Sequence, residues 1–169
     1  MSILVLGIGN LIMSDDSVGV RLVQRLQNRF RFLEGINLHD GGTLGPALLP
    51  LLTGVDRLLL VDAVETGEAP GTVVRLTGDD IPRAIPARLS QHQLGLADLL
   101  SLAALAGNAP REIVLWGIQP SNIALGLDMS PPVASRFAVL EARVLEELRN
   151  WGMEPFPGSS RNELQNQRE

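Results

Sequence analysis

An apolar run that ends in Gly-x-Gly, close to the start of the chain, constrains the fold more than any other feature. Its sequence is Ile3-Leu4-Val5-Leu6-Gly7-Ile8-Gly9-Asn10. Such a run, without polar alternation, is typical of a parallel strand buried on both faces, and its glycines predict a tight turn. The helical pattern that follows places Asp15 and Asp16 where a helix begins. Because ligands of open α/β sheets bind at the carboxyl ends of the strands, we expect a ligand site at this point.

Strands and helices alternate along the rest of the chain. The patterns predict strands at 3–7, 36–40, 57–62, 72–77 and 112–117, and helices at 15–30, at 90–106 and from 131 onward. The connection before 72–77 is too short for a crossover helix, so we expect this strand to be antiparallel and near an edge. Residues 44–52 have a helical pattern, but Pro46 and Pro50 predict a short, late-starting or kinked helix. The predicted fold is a three-layer α/β/α arrangement, with a mostly parallel, five-stranded twisted sheet and helices on both faces.

Length and composition set the expected domain organisation. A chain of 169 residues, of which 45% are hydrophobic, can bury one core well but is short for two. We expect a single α/β domain over 1–155 and a polar, flexible tail over 156–169, the polar character beginning at about Met153. Pro82 and Pro86 predict a loop over 78–90 that could move or cover a site.

Charge and cysteine content exclude several classes of function. A net charge of −5 without a basic cluster argues against binding to nucleic acid. The absence of cysteine excludes disulfides, thiolate metal sites and cysteine nucleophiles. The chain opens into a strand without signal-peptide features, and no apolar run approaches the roughly 18 residues of a membrane span. We therefore expect a cytoplasmic protein with no membrane segment.

Three serines occupy positions typical of helix N-caps. Ser14 precedes the first helix, and Ser130 precedes the last helix with proline following it. Ser90 and Gln93 have the spacing of a capping box, which places His92 in the first turn of its helix.

Asp16, Asp62 and His92 form a candidate metal-binding set. Two carboxylates and one imidazole can bind a divalent ion and leave positions for water. A helix N-terminus disfavours the imidazolium form, so His92 is kept neutral, as a metal ligand must be. Each residue alone also has a structural explanation: a helix dipole for Asp16, a capped loop for Asp62 and a helix start for His92. We interpret His39, inside the second strand, as a sheet-surface residue without a chemical role.

Other catalytic and nucleotide-binding motifs fit the sequence poorly. The chain has neither a GxSxG elbow nor a GxxxxGK[ST] loop. Gly7 and Gly9 are a weak dinucleotide fingerprint because the third glycine is missing, and Asp15 and Asp16 would repel a pyrophosphate at the helix start.

Six segments, in order along the chain, carry a resemblance to one known family. They are 3–10, Asp15-Asp16-Ser17-Val18-Gly19-Val20-Arg21, Asp40-Gly41-Gly42-Thr43, Asp62-Ala63, Ala69-Pro70-Gly71-Thr72, and Ser90-x-His92-Gln93-Leu94-Gly95-Leu96-Ala97-Asp98, followed by the strand leading to Gly117 and Pro120. Together they resemble the endopeptidases that mature NiFe hydrogenases by trimming the C-terminal extension of the large subunit. The similarity extends from residue 1 to about residue 155.

The resemblance implies roles for individual residues. Asp16, which stands where the family accepts either Glu or Asp, would join Asp62 and His92 around a metal. That metal would be nickel already inserted in the substrate, and other divalent ions such as cadmium could occupy the site. Asp40 would take a catalytic part, and Gly41, Gly42 and Thr43 would recognise substrate. The implied partner is the large-subunit precursor, processed by a monomeric enzyme. The side chain of Asp16 reaches about 1.5 Å less than Glu would, so the local loop must compensate.

Two alternatives from other classes stay open at this point. One is a non-enzymatic module that binds a nucleotide or small anion at the turn from Gly7 to Asn10. The other is a chaperone that binds the large subunit without cutting it. Nucleotide titration would test the first, and a gel of the precursor before and after incubation would test the second.

Overall fold

A five-stranded sheet forms the centre of the computed structural model, which describes residues 1–78, 80–81 and 91–158, with the backbone alone for 91–94. Numbered in chain order together with two short strands, the strands are β1 (Ile3–Ile8), β2 (Phe30–Arg31), β3 (Ile36–Gly42), β4 (Arg57–Ala63), β5 (Val73–Thr77), β6 (Glu112–Ile118) and β7 (Phe156–Pro157). The order in the main sheet is β3-β1-β4-β6-β5, parallel except for β5, which pairs antiparallel with β6 at an edge. The predicted mostly parallel sheet and its antiparallel edge strand are confirmed.

Helices cover both faces of this sheet. They are α1 (Val18–Arg29), α2 (Gln91–Leu105), α3 (Pro131–Ala134) and α4 (Phe137–Asn150). One hydrophobic cluster joins the sheet to α1, α3 and α4. A second cluster joins the opposite face to α2 and to a 3₁₀ helix, Gly45–Leu52. The predicted three layers are therefore present.

Side-chain alternation along the central strands assigns residues to the two faces. In β4, Leu59, Val61 and Ala63 belong to the cluster on the α1 face, whereas Leu58 and Leu60 belong to the cluster on the α2 face. Successive side chains of a strand point to opposite faces, so Asp62 continues the row that faces α2. The burial of both faces explains why these strands are continuous apolar runs.

The start of the first helix differs from the prediction. Residues Ser14–Ser17 form a 3₁₀ turn, and the α-helix begins at Val18. The prediction that Ser14 is an N-cap is wrong, because its φ is +48° and its hydroxyl donates to the Ala124 carbonyl oxygen (2.9 Å). The proline-containing segment Gly45–Leu52 is a 3₁₀ helix with Pro50 inside it, so the helical pattern over 44–52 is confirmed but the shortening expected from Pro50 is not.

The last predicted helix is split. The helix is interrupted at Ser135 and Arg136, between α3 and α4, although Val133 of α3 still packs in the same hydrophobic cluster as α4.

The segment after Met153, where we predicted polar character to begin, is still bound to the domain as far as Gly158. Strand β7 pairs with β2, and the Gly158 amide donates to the Arg29 carbonyl oxygen (2.8 Å).

Several predictions fall outside the described residues. These are the capping box at Ser90 and Gln93, the proline-containing part of the 78–90 loop, and the chain after Gly158. Within the described ranges, no helix combines the length and apolar character needed to cross a membrane.

Candidate functional site

Asp16 lies at the carboxyl ends of β1 and β4. Its side chain is 5% exposed, and its Oδ2 accepts a hydrogen bond from the Asn10 amide (3.2 Å). The 3₁₀ turn that carries it contacts β4. A Cβ on Gly19 would lie 2.1 Å from the Val61 carbonyl oxygen and 2.3 Å from that of Ile8. This close approach fixes the start of α1, and the turn with Asp16 before it, against the ends of both strands.

Asp62 is the last polar residue of β4 and is 1% exposed. Its Oδ1 accepts a hydrogen bond from the Ala63 amide (2.8 Å), which orients the carboxylate. A carboxylate this deeply buried must be paired, hydrogen-bonded or bound to a metal. The predicted position of Asp62, at the carboxyl end of the central strand β4, is confirmed.

The backbone of His92 lies in the first turn of α2, as predicted. Gly95, one turn further along, contacts Gly45, where a Cβ on Gly95 would lie 3.0 Å from the Gly45 Cα. Gly45 follows the end of β3 by three residues. The first turn of α2 therefore lies at the end of the sheet where the parallel strands have their carboxyl ends.

The two acids and the helix turn that carries His92 thus lie at the same end of the sheet. Asp16 comes from the α1 face, Asp62 from the central strand and His92 from the α2 face. Among the residues that the structure describes, which exclude the side chain of His92, no group of three or more acids and histidines forms a metal site. The role of these residues as ligands stays a prediction.

Asp40 closes a turn at the end of β3. Its Oδ1 accepts from the Gly42 amide (3.0 Å), and its Oδ2 accepts from the side-chain amide of Gln24 (3.0 Å). Gly42 has φ +49°, and its carbonyl oxygen accepts from the Gly9 amide (3.0 Å). Asp40, Gly42 and Thr43 line a pocket of about 290 Å³ together with Gly9, Asn10, Leu11 and Val20. Gly41 is buried, and His39 is half-buried within β3.

Asp15 organises the loop 119–130, a role that the sequence did not reveal. This fully buried carboxylate accepts hydrogen bonds from the Ser121 amide (2.8 Å), the Asn122 amide (2.9 Å), the Ser130 amide (2.6 Å) and the Ser130 hydroxyl (2.8 Å). Ser130 precedes α3 as predicted, but its hydroxyl bonds Asp15. Asp15 therefore ties the loop 119–130 to the turn that carries Asp16.

Gln119 supports the segment that follows Asp62. Its Oε1 accepts from the Thr66 amide (2.7 Å) and hydroxyl (3.0 Å), and its Nε2 donates to Glu65 (2.8 Å). Gln119 is buried at the end of β6, next to β4. The only signal of this role in the sequence is a glutamine directly after the apolar run of β6. That signal is weak, because the partners of Gln119 lie about fifty residues earlier in the chain.

The turn after β1 packs closely against the turn that carries Asp16 and leaves no room or free amide for a phosphate at Gly9 and Asn10. A Cβ on Gly9 would lie 1.8 Å from the Asp16 carbonyl oxygen, and the Asn10 amide already bonds both that carbonyl (3.3 Å) and the Asp16 carboxylate (3.2 Å). In dinucleotide folds the pyrophosphate occupies the equivalent space at the helix start. This geometry argues against the nucleotide-binding alternative.

Comparison with known proteins identifies the family. The family model described as "Hydrogenase maturation protease" (HycI) matches residues 20–147. The hydrogenase expression/formation protein HoxM of Azotobacter vinelandii is 42% identical over 154 residues, covering 90% of this chain and 74% of HoxM. The hydrogenase 2 maturation protease of Escherichia coli K12 is 35% identical over 158 residues, covering 93% of this chain and 96% of that protein.

A solved structure agrees with these relatives. The hydrogenase maturating endopeptidase HybD from E. coli superposes with a TM-score of 0.88 at 36% identity, covering 94% of this chain and 99% of that chain. The resemblance inferred from the sequence motifs and the expected peptidase activity are confirmed. The chain belongs to the hydrogenase maturation protease family.

Proposed function

We propose that this peptidase removes the C-terminal extension of the nickel-loaded large-subunit precursor of a NiFe hydrogenase, and that it recognises the nickel through Asp16, Asp62 and His92. The observation that carries the proposal is that two buried carboxylates and the helix turn with His92 lie at one edge of the sheet. This edge is where α/β folds bind their ligands.

The donor chemistry of this edge fits a divalent ion in the substrate. Imidazole is a good ligand for nickel, and carboxylate oxygens complete a set of borderline hardness. Each described carboxylate is oriented by a backbone amide, from Asn10 for Asp16 and from Ala63 for Asp62. Such outer-shell bonds hold ligands ready before the ion arrives.

In the proposed mechanism the precursor docks at this edge with its nickel. Asp16, Asp62 and His92 fill open positions on that substrate metal and so fix the position of the peptide bond to be cut. The substrate metal acts as a Lewis acid or template for the attacking water. Asp40, which lines the pocket, takes a catalytic part, and Gly42 and Thr43 contact the substrate. Buried Gly41 contributes to substrate recognition only by holding the backbone of this turn. Cleavage then serves as a check that nickel has been inserted.

Comparison of nickel-loaded and nickel-free precursor tests this mechanism. We expect the protein to shorten the loaded precursor on a gel and to leave the empty precursor intact, since the empty one offers no ion to hold. Equal rates of cleavage of the two would overturn nickel recognition. Binding of the loaded precursor without cleavage would instead favour the chaperone alternative.

Replacement of each of the two histidines provides a matched pair of variants. We predict that His92→Ala loses processing by at least about tenfold while keeping its far-UV circular dichroism and melting temperature. His39→Ala, which lies in β3 of the same sheet, is the control and should process at the parent rate. If His92→Ala also processes at the parent rate, His92 is structural.

A further inference from the structure

An exposed apolar surface borders the candidate site on one side. It consists of five side chains on two loops, the loop after β1 and the loop 119–130, and we call it the apolar rim: Leu11, Ile12, Ile123, Leu125 and Leu127. Leu125 is 77% exposed and Leu127 is 68% exposed. Scattered single leucines on a surface are ordinary, but several together mark an interaction site.

Backbone pairing brings the two loops of the apolar rim together. Met13 and Gly126 form a parallel β-bridge, in which the Ser14 amide donates to the Gly126 carbonyl oxygen (2.8 Å) and the Gly126 amide to the Ile12 carbonyl oxygen (2.9 Å). The flanking residues of such a bridge are neighbours on the face opposite the bridged pair. Ile12 therefore lies beside Leu125, and the two loops that carry the five apolar side chains are held next to each other.

The apolar rim is held rigidly with respect to the candidate metal site. The Asp15 carboxylate binds the start and the end of the loop that carries Leu125, through Ser121 and Ser130. Asp15 is followed directly by Asp16. A surface fixed in this way can bind a partner without first paying for the ordering of its own loops.

The apolar rim is continuous with the pocket at the end of β3. Leu11 lines that pocket together with Asp40 and Thr43. Leu44, the residue after pocket-lining Thr43, is also exposed. A polypeptide bound at the pocket would therefore have exposed apolar side chains within reach at Leu11 and Leu44.

The charge of the apolar rim restricts the chemistry of its occupant. Residues 10–14 and 121–127 contain no ionisable side chain, in a chain whose net charge is −5. The charged groups at its margin are the Arg21 guanidinium, which donates to the Leu127 carbonyl oxygen, and exposed Asp128. The five side chains of the rim are themselves uncharged and favour uncharged, apolar side chains in the occupant.

We propose that the apolar rim binds an apolar segment of the precursor polypeptide next to the peptide bond that is cut. This inference rests on the proposed function for the identity of the substrate. It adds a second binding contact that does not depend on nickel. The metal ligands bind the precursor only when nickel is present, whereas the apolar rim binds its polypeptide.

Binding and cleavage of the precursor test the inference. The variants Leu125→Asn and Ile12→Asn remove apolar side chains from opposite loops, and both positions are exposed, so circular dichroism should be unchanged. We expect each to weaken the Kd for nickel-loaded precursor by about tenfold, with kcat within about twofold of the parent. Leu105→Asn is the control: Leu105 is 85% exposed at the end of α2, away from the carboxyl edge, and its replacement should change neither value.

Nickel-free precursor separates the two binding contacts. The apolar rim variants should weaken binding of the empty precursor by the same factor as binding of the loaded one, whereas Asp62→Asn should weaken only the loaded one. A Kd unchanged in both rim variants would overturn the inference, even if the parent protein cleaves the precursor.

The failures of the two proposals differ. A parent protein that binds but does not cleave would refute the proposed function and leave the rim to be judged by the Kd values. A parent protein that neither binds nor cleaves would refute both. If the parent dimerises in sedimentation experiments while rim variants are monomers that bind precursor normally, the apolar rim is a contact between copies and the inference is wrong.

Discussion

At the scale of single residues, two neighbouring acids have different environments. The Asp15 carboxylate accepts hydrogen bonds from groups 106 to 115 residues later in the chain. Asp16 accepts one from an amide six residues earlier. The sequence placed both acids at a helix start, and the strand-end rule placed Asp16 at the sheet edge. It could not separate their roles, because the partners of Asp15 depend on how the loop 119–130 folds back.

The first prediction concerns Asp15. Asp15→Asn replaces an acceptor-only group by one that presents donors to the Ser121 and Ser130 amides, so buried donors would face each other. We expect a loss of about 3 kcal/mol in the free energy of unfolding, measured by urea denaturation. Asp128→Asn, an exposed acid in the same loop, should have little effect. Equal stability of the two variants would show that Asp15 does not hold the loop.

At the scale of elements, the contact between α1 and the sheet was only partly predictable. The amphipathic pattern gave the helix and its buried face, and the glycines gave a tight turn. The sequence did not show that the helix begins in a 3₁₀ turn, since that depends on Ser14 reaching Ala124. It also did not show the break at Ser135 and Arg136, where no proline or glycine interrupts the pattern.

The second prediction tests the close packing of α1. In Gly19→Ala the new Cβ would clash with the Val61 and Ile8 backbone, which cannot move without distorting β4 and β1. We expect a loss of at least about 2 kcal/mol by chemical denaturation. Asn28→Ala, on the exposed side of α1, is the control and should keep the parent stability. A stable Gly19→Ala protein would mean that α1 can shift away from the strand ends.

The third prediction concerns the connection of α4 to the edge of the sheet. Buried Glu147 accepts two hydrogen bonds from Arg75 on β5 (2.7 and 2.8 Å) and one from the Trp116 indole on β6 (3.0 Å). The bond from Arg75 is the main reason that the pKa of Glu147 lies below its ordinary value of 4.5; Trp116 adds to this, and burial opposes it. Because the folded pKa is lowered, this stabilisation is complete above pH 4.5 and is lost as the pH falls through the folded pKa.

Glu147→Gln should therefore lower the free energy of unfolding by about 1–2 kcal/mol at pH 7, and the difference from the parent should narrow below pH 4.5. Urea denaturation at a series of pH values measures this. Glu146→Gln, which removes an exposed pair with Arg143, should change little at any pH. A difference that stays constant down to pH 3 would contradict the assigned cause.

At the scale of the whole molecule, the two faces of the sheet supply different parts of the candidate site. The α1 face brings Asp16 and the α2 face brings the turn with His92, while Asp62 ends the strand between them. Sequence reasoning anticipated this edge because parallel strands all end on one side of the sheet. It could not anticipate the apolar rim, since that surface exists only after residues 12–14 pair with the distant Gly126.

Titration with cadmium tests most directly whether the three residues bind one ion. We predict by calorimetry that the parent protein binds one Cd²⁺ per chain, and that Asp16→Asn, Asp62→Asn and His92→Ala each weaken the Kd by at least about tenfold. His39→Ala should bind as the parent does. An absence of Cd²⁺ binding, or a Kd that is unchanged in any of the three variants, would contradict the proposed convergence of Asp16, Asp62 and His92 on one metal.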